Sequence, residues 1–155
     1  MGLFDYEATV APEAEHGEIV FLEDFSSEDW SKILNIVETR HFLAGQDLVR
    51  DGERDDSFYI LSSGSVDIVV RDAKGRESVL TSLPEGSVFG EISFFDGQPR
   101  SATVRAKVGG SAIRISRATF ETFAAWEPVL ARRLLLELGK VLSLRLRWTT
   151  KRTAR

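Results

Sequence analysis

Phe89-Gly90-Glu91-Ile92-Ser93-Phe94-Phe95-Asp96-Gly97-Gln98-Pro99-Arg100-Ser101-Ala102-Thr103-Val104 carries more information than the rest of this 155-residue chain together. Gly90 lacks a β-carbon, so backbone there can come close to a ligand. Glu91 sets a carboxylate beside it, and the residues that follow can form one short helical turn. Nine residues past the carboxylate stands Arg100, followed by the hydroxyl of Ser101 and the small Ala102. Arginine grips a phosphate with a planar fork of donors, where lysine offers only a point charge. Glu91 would repel an anion, so its fitting task is to accept a hydrogen bond from a hydroxyl. The set suits a ligand with one anionic phosphate and a sugar hydroxyl on the same edge.

The surrounding pattern supplies a frame for this run. Between about Arg40 and Arg117 short strands alternate with glycine and acidic turns. The expected strands are 40–43, 47–50, 57–62, 65–71, 77–83, 101–107 and 111–116. Asp72-Ala73-Lys74-Gly75 joins two of them as a hairpin, and Asp51-Gly52 and Ser63-Gly64 are turn signals. Ahead of the strands, Ser26 or Ser27 caps a helix whose apolar positions are Trp30, Ile33, Leu34 and Ile36. After Arg117 the period becomes helical again: Thr119 to Ala125 forms a short helix, and Pro128 opens a longer one running to about Trp148. The fold class is therefore α+β, an antiparallel, jelly-roll-like β-roll of about eight strands flanked by an N-terminal helix and C-terminal helices. Residues 1–19 read as a loose arm, 20–148 as one domain, and 149–155 as a basic tail.

Composition narrows the classes of function. A chain of this length has room for one domain with a sizeable core. It contains no cysteine, which excludes disulfides, thiolate metal sites and cysteine nucleophiles and points to the cytoplasm. No apolar run approaches a membrane span. The first thirty residues are acid-rich and the last stretch is basic (Arg132, Arg133, Lys140, Arg145, Arg147, Lys151, Arg152, Arg155), with a net charge of −4 overall. Cations at a helix end complement the macrodipole, and the acidic total argues against DNA as the main ligand. Only His16 and His41 are present, so a histidine-built metal site cannot form; no metal and no catalytic constellation is expected. Walker and nucleophile-elbow motifs are missing too.

The pattern F-G-E-[IL]-x…P-R-[SAT]-A, complete here from Phe89 to Ala102, resembles the phosphate-binding cassette of cyclic nucleotide-binding domains, as in protein kinase A regulatory subunits, gated channels and catabolite-activator-type regulators. Asp56-Ser57-Phe58-Tyr59-Ile60-Leu61-Ser62-Ser63-Gly64-Ser65-Val66 resembles the family's second recognisable stretch. The resemblance covers roughly residues 20–148. It implies a 3′,5′-cyclic nucleotide as ligand, cAMP ahead of cGMP. Arg100 would meet the exocyclic phosphate oxygens, with the amides of Ile92, Ser93 and Ala102 and the hydroxyl and amide of Ser101 completing the cradle. Gly90 would be needed because a β-carbon would crowd the sugar–phosphate ring, and Glu91 would accept from the ribose 2′-hydroxyl. Ile68, Leu80 and Thr81 would line the roll under base and sugar. Where relatives place small hydroxyl residues against the adenine, this chain has Arg145 and Leu146; Arg145 is either a cap over the base or a solvated cation.

The long helix carries Leu134, Leu135, Leu136, Leu138, Val141, Leu142, Leu144, Leu146 and Trp148, apolar on more than one face. The surplus needs a second surface, and the family resemblance implies a homodimer through this helix and a signal sent by its repacking. The expected partners are the nucleotide and an unidentified downstream protein, with no membrane and no DNA contact from the chain itself. It is read as a free-standing sensor. The alternatives are the sensory part of a catabolite-activator-type transcription regulator without its helix-turn-helix, or a nucleotide-free interaction module using the basic tail.

Overall fold

The computed structural model describes residues 24–153, so the expected loose arm lies outside the described residues. Its elements are α1 (Ser27–Leu34), β1 (Glu38–Phe42), β2 (Asp47–Val49), β3 (Phe58–Arg71), β4 (Glu77–Leu83), β5 (Val88–Phe89), α2 (Glu91–Asp96), β6 (Thr103–Ile115), α3 (Arg117–Trp126) and α4 (Pro128–Thr153). The strands form one antiparallel sheet in the order β1-β6-β3-β4, with β2 also on β6 and β5 also on β3. The α+β roll flanked by helices is the architecture expected.

Local chemistry explains the helix starts. Ser26 caps α1 in a reciprocal box: its hydroxyl accepts from the Asp29 amide at 3.1 Å, and the Asp29 carboxylate accepts from the Ser26 amide at 3.0 Å. Ser116 caps α3 through the Thr119 amide at 3.1 Å. Pro128 occupies the first position of α4, where its missing N–H goes unmissed. That helix continues past Trp148 to Thr153, through most of the segment expected as a tail.

Among the described residues the strands number six, where about eight were expected. Segments 57–62 and 65–71 fuse into β3, and 101–107 and 111–116 fuse into β6, while the two-residue β5 was not anticipated. Ser63-Gly64 bends the strand without ending it. Gly64 has φ +83°, and a β-carbon there would lie 2.6 Å from the Val108 carbonyl oxygen and 2.8 Å from that of Gly109. The β3–β6 register shifts three times across Leu61 to Val66, opposite Gly109 and Gly110 of β6. Such bulges raise local twist, so one pair of long strands can serve both halves of the roll.

Alternation along these strands divides the interior in two. Phe58 and Ile60 of β3 join Ile113 and Ile115 of β6, Val88 of β5, and the helix residues Phe94, Phe120, Leu134, Leu138 and Val141. Tyr59 and Leu61 face the other way, into the roll, with Ile68, Phe89, Ala102, Val104 and Ala112. Because successive strand residues point to opposite faces, Phe58–Leu61 is buried throughout. Phe94 anchors α2 to the helical side, edge-on to Phe58 at 4.8 Å and to Phe120 at 5.5 Å between ring centroids.

Gly64→Ala would meet both a strained left-handed backbone and two carbonyl oxygens. It should destabilise the domain by about 2–3 kcal/mol, read as a lowered urea midpoint.

Candidate functional site

Gly90 ends β5 and caps α2 from the left-handed region, at φ +80°. A β-carbon on it would stand 2.8 Å from Nη1 of Arg100 and 3.1 Å from the Ser57 carbonyl oxygen. The close approach that requires glycine is thus made by the protein's own arginine. Arg100 crosses beneath the turn, 4% exposed. Its Nη1 donates to the Gly90 carbonyl at 2.8 Å, and its Nη2 donates to the Ser57 carbonyl at 2.7 Å and pairs with the Asp55 carboxylate at 3.0 Å. Its backbone is pinned as well: the amide donates to the Glu53 carbonyl at 2.9 Å, and the carbonyl accepts from Gly52 at 2.8 Å. The Asp51-Gly52 turn therefore holds the far end of the cassette.

Asp55 is a member of this buried cluster that the sequence reading missed. It sits between two guanidinium groups, accepting from Nη2 of Arg114 at 3.0 Å on one oxygen and pairing with Arg100 on the other. The Ser57 amide at 3.1 Å and the Tyr59 hydroxyl at 3.3 Å complete its surroundings. Burial alone would raise its pKa, but hydrogen bonding from Ser57 and the charges of Arg100 and Arg114 outweigh that and bring it down to about 2. The missed signal was its place at the head of the Asp56–Val66 stretch, one residue before the segment singled out.

Glu91 begins α2 and is completely buried. Its Oε1 accepts from Nη1 of Arg145, which lies 54 residues later on α4, while Nη2 of Arg145 donates to the Val88 carbonyl at 2.9 Å. Arg145 is 5% exposed, which removes the solvated-cation reading. The helical period could have said so: Leu134, Leu138, Val141 and Arg145 recur on one buried stripe of α4. Three polar atoms around the turn are buried without a hydrogen-bond partner, namely Glu91 Oε2, Arg100 Nε and Ser57 Oγ. Orphaned groups of this kind are unfavourable unless something else supplies the bond. Donors and an acceptor so gathered fit a ligand that is anionic at one point and carries a hydroxyl at another.

The remaining expected residues fall into two groups. Phe89, Ile68 and Ala102 lie fully inside the roll, where Phe89 stacks on Tyr59 at 5.0 Å and Leu80 packs against the same cluster. Ile68 pairs with Thr81, and the register shift just beyond skips Leu80. Ser93 is buried, Ile92 half-buried and Ser101 exposed. Among the described residues no three His, Cys, Asp or Glu side chains gather as a metal site, and no helix is long and apolar enough to cross a membrane.

The depressed Asp55 carboxyl has a consequence for acid stability. A carboxylate with a lowered folded-state pKa stabilises fully above its ordinary value near 4, and this is lost as pH falls toward 2. Asp55→Asn should destabilise the domain by about 2 kcal/mol at neutral pH. Denaturant titrations at pH 7, 4 and 2.5 should show this difference from the parent protein shrinking toward acid.

Comparison with known proteins gives this geometry its context. The cyclic nucleotide-binding domain family model matches residues 39–125. A cAMP-dependent protein kinase regulatory subunit of Mucor circinelloides is 37% identical over 89 residues, covering 57% of this chain and 21% of its own. The cAMP-activated global transcriptional regulator of Shigella flexneri is 33% identical over 94 residues, covering 60% of this chain and 45% of its own. The chain thus spans between a fifth and just under half of these relatives. Among solved structures, a cyclic nucleotide-binding domain from Methylobacillus flagellatus shares the fold with a TM-score of 0.77 at 24% identity, over 90% of this chain and 80% of that one. The Thermus thermophilus catabolite activator protein follows at 0.75 and 24%, over 88% and 62%. A family match across the roll, with the cassette arginine hydrogen-bonded to the cassette glycine, places this chain in the cyclic nucleotide-binding domain family.

Proposed function

We propose that this domain binds a 3′,5′-cyclic nucleotide, cAMP ahead of cGMP, and reports its presence by repacking α3 and α4. The observation that carries the reading is the pair of orphaned atoms flanking Gly90, Arg100 Nε and Glu91 Oε2. Arg100 would hold the phosphate, helped by the amides of Ile92, Ser93, Ser101 and Ala102. Glu91 Oε2 would accept from the ribose 2′-hydroxyl, and Ile68, Leu80 and Thr81 would lie under base and sugar. The preference for cAMP leans on the relatives, a cAMP-dependent regulatory subunit and a cAMP-activated regulator. Binding and signalling, rather than catalysis, is the role of such a domain.

A route from the cassette to the helices supports the second half. Phe94 of α2 touches Phe120 of α3, and Arg117 of α3 donates to the Phe94 carbonyl at 3.4 Å with its guanidinium 5.8 Å from the ring centroid. A nucleotide that draws α2 inward would shift the population of α3 and α4 arrangements. On α4, Val129 and Leu136 are more than 60% exposed and Leu135 is partly so. These residues offer the surface for a homodimer through α4, with a downstream protein as the next partner in the cytoplasm. In a longer polypeptide the same domain would serve as the sensory part of a transcription regulator.

Calorimetric titration with cAMP and cGMP tests the proposal, using protein first unfolded and refolded to strip carried-over ligand. Micromolar or tighter binding is expected. Arg100→Ala should weaken it by about 2–4 kcal/mol, roughly 30-fold or more, and Arg100→Lys should recover only part of the loss because the fork is gone. No heat with either nucleotide would overturn the reading.

A further inference from the structure

We propose that Arg145 is the positioning residue for sugar recognition, and that α4 is coupled to the ribose 2′-hydroxyl rather than to the base. This inference rests on the cyclic nucleotide reading above and extends it to the element that reports binding. Two observations carry it.

The first is the division of labour on one carboxylate. Glu91 is fully buried, Arg145 takes Oε1, and Oε2 is left without a partner. A charge at that depth persists only with an opposite charge beside it. Arg145 therefore does two things at once: it sets an opposite charge beside the buried Glu91 carboxylate, and it fixes which oxygen remains for a hydroxyl. Its second arm, on the Val88 carbonyl, locks the guanidinium in a plane set by the strand that leads into the cassette. Lysine at this position could supply the charge but not the two-point hold.

The second observation is where the helix and the base-side residues belong. Leu134, Leu138 and Val141 of α4 are part of the helical core, together with Phe94 and Phe120. Ile68 is in the roll-interior core, with Leu80 packed against it, and Thr81 is the strand partner of Ile68. The Arg145–Glu91 pair joins α4 to the first residue of the cassette helix on the helical side of the roll, apart from the residues under the base. A hydrogen bond to Glu91 Oε2 redistributes charge on the carboxylate that Arg145 holds, and so changes how firmly α4 is fastened. By linkage the reverse holds, and the docking of α4 sets the affinity for the sugar hydroxyl. A change of base alters contacts in the roll interior and leaves this bond untouched.

The test uses the full chain with cAMP, cGMP and 2′-deoxy-cAMP, measuring affinity by calorimetry and amide hydrogen exchange across residues 138–148 at saturation. In the parent protein 2′-deoxy-cAMP should bind roughly 10–100-fold more weakly than cAMP, the loss of one hydrogen bond to a charged group. At saturation it should leave exchange in α4 near the nucleotide-free level, while cAMP and cGMP change that exchange alike. Arg145→Lys should bring the ribose-to-deoxyribose affinity ratio to within about threefold of unity. The double variant Glu91→Gln with Arg145→Met, which removes both buried charges together, should abolish the ratio and still fold. An α4 response to 2′-deoxy-cAMP equal to that for cAMP would overturn the inference, as would different responses to cAMP and cGMP or an undiminished ratio in Arg145→Lys. Failure of the parent protein to bind cAMP would instead remove the function proposed above, and this inference with it.

Discussion

A guanidinium and a carboxylate buried within one short stretch of chain must each be answered by an opposite charge, and the site is arranged around those two answers. Arg100 is met by Asp55 and by the carbonyls of Gly90 and Ser57, while Glu91 is met by Arg145 from the far end of the chain. The two charges do not pair with each other. Each is tied to a different part of the protein, Arg100 to the loop before β3 and Glu91 to α4. Breaking either pair would leave an uncompensated buried ion, which is far more unfavourable than the net worth of the pair itself. The fold is thereby obliged to keep the loop, the cassette and the last helix in register.

Gly90 is the hinge of this arrangement, because only a residue without a β-carbon leaves room for Arg100 to lie against the turn. Around it the long strands β3 and β6 do two jobs. Their alternating side chains build a helical core on one face and a roll interior on the other. Their glycine bulge lets a single pair of strands close the roll. In the proposed binding mode the phosphate would lie at the loop–β3 junction, the sugar at α2 and α4, and the base against the roll interior. A ligand spanning all three would touch every layer of the domain.

Much of this was legible in the sequence, and the failures have physical causes. The cassette was readable because its residues lie within sixteen positions and their chemistry is local. The starts of α1 and α4 were equally clear, since Ser26 and Pro128 act within one turn of themselves, whereas α3 begins at Arg117 behind a Ser116 cap, two residues before the expected Thr119. Ser63-Gly64 misled because a positive-φ glycine marks a bulge as readily as a turn, and what distinguishes them is the partner strand some 45 residues away. Asp55 and Arg145 are instances of the same limit. Their partners, Arg100 and Glu91, are 45 and 54 residues distant, and nothing in the spacing of charges tells a buried ion pair from two solvated ones. For Arg145 the period of α4 did carry the hint, since it continues the stripe of Leu134, Leu138 and Val141, but the basic composition of that segment spoke louder.

The most direct test of the account is a crystal structure of the protein grown with cAMP. The account predicts the cyclic phosphate within hydrogen-bond distance of the Arg100 guanidinium and the ribose 2′-hydroxyl on Glu91 Oε2, with Arg145 still on Oε1. A nucleotide bound away from Gly90, or one whose ribose is held by groups other than Glu91, would contradict it.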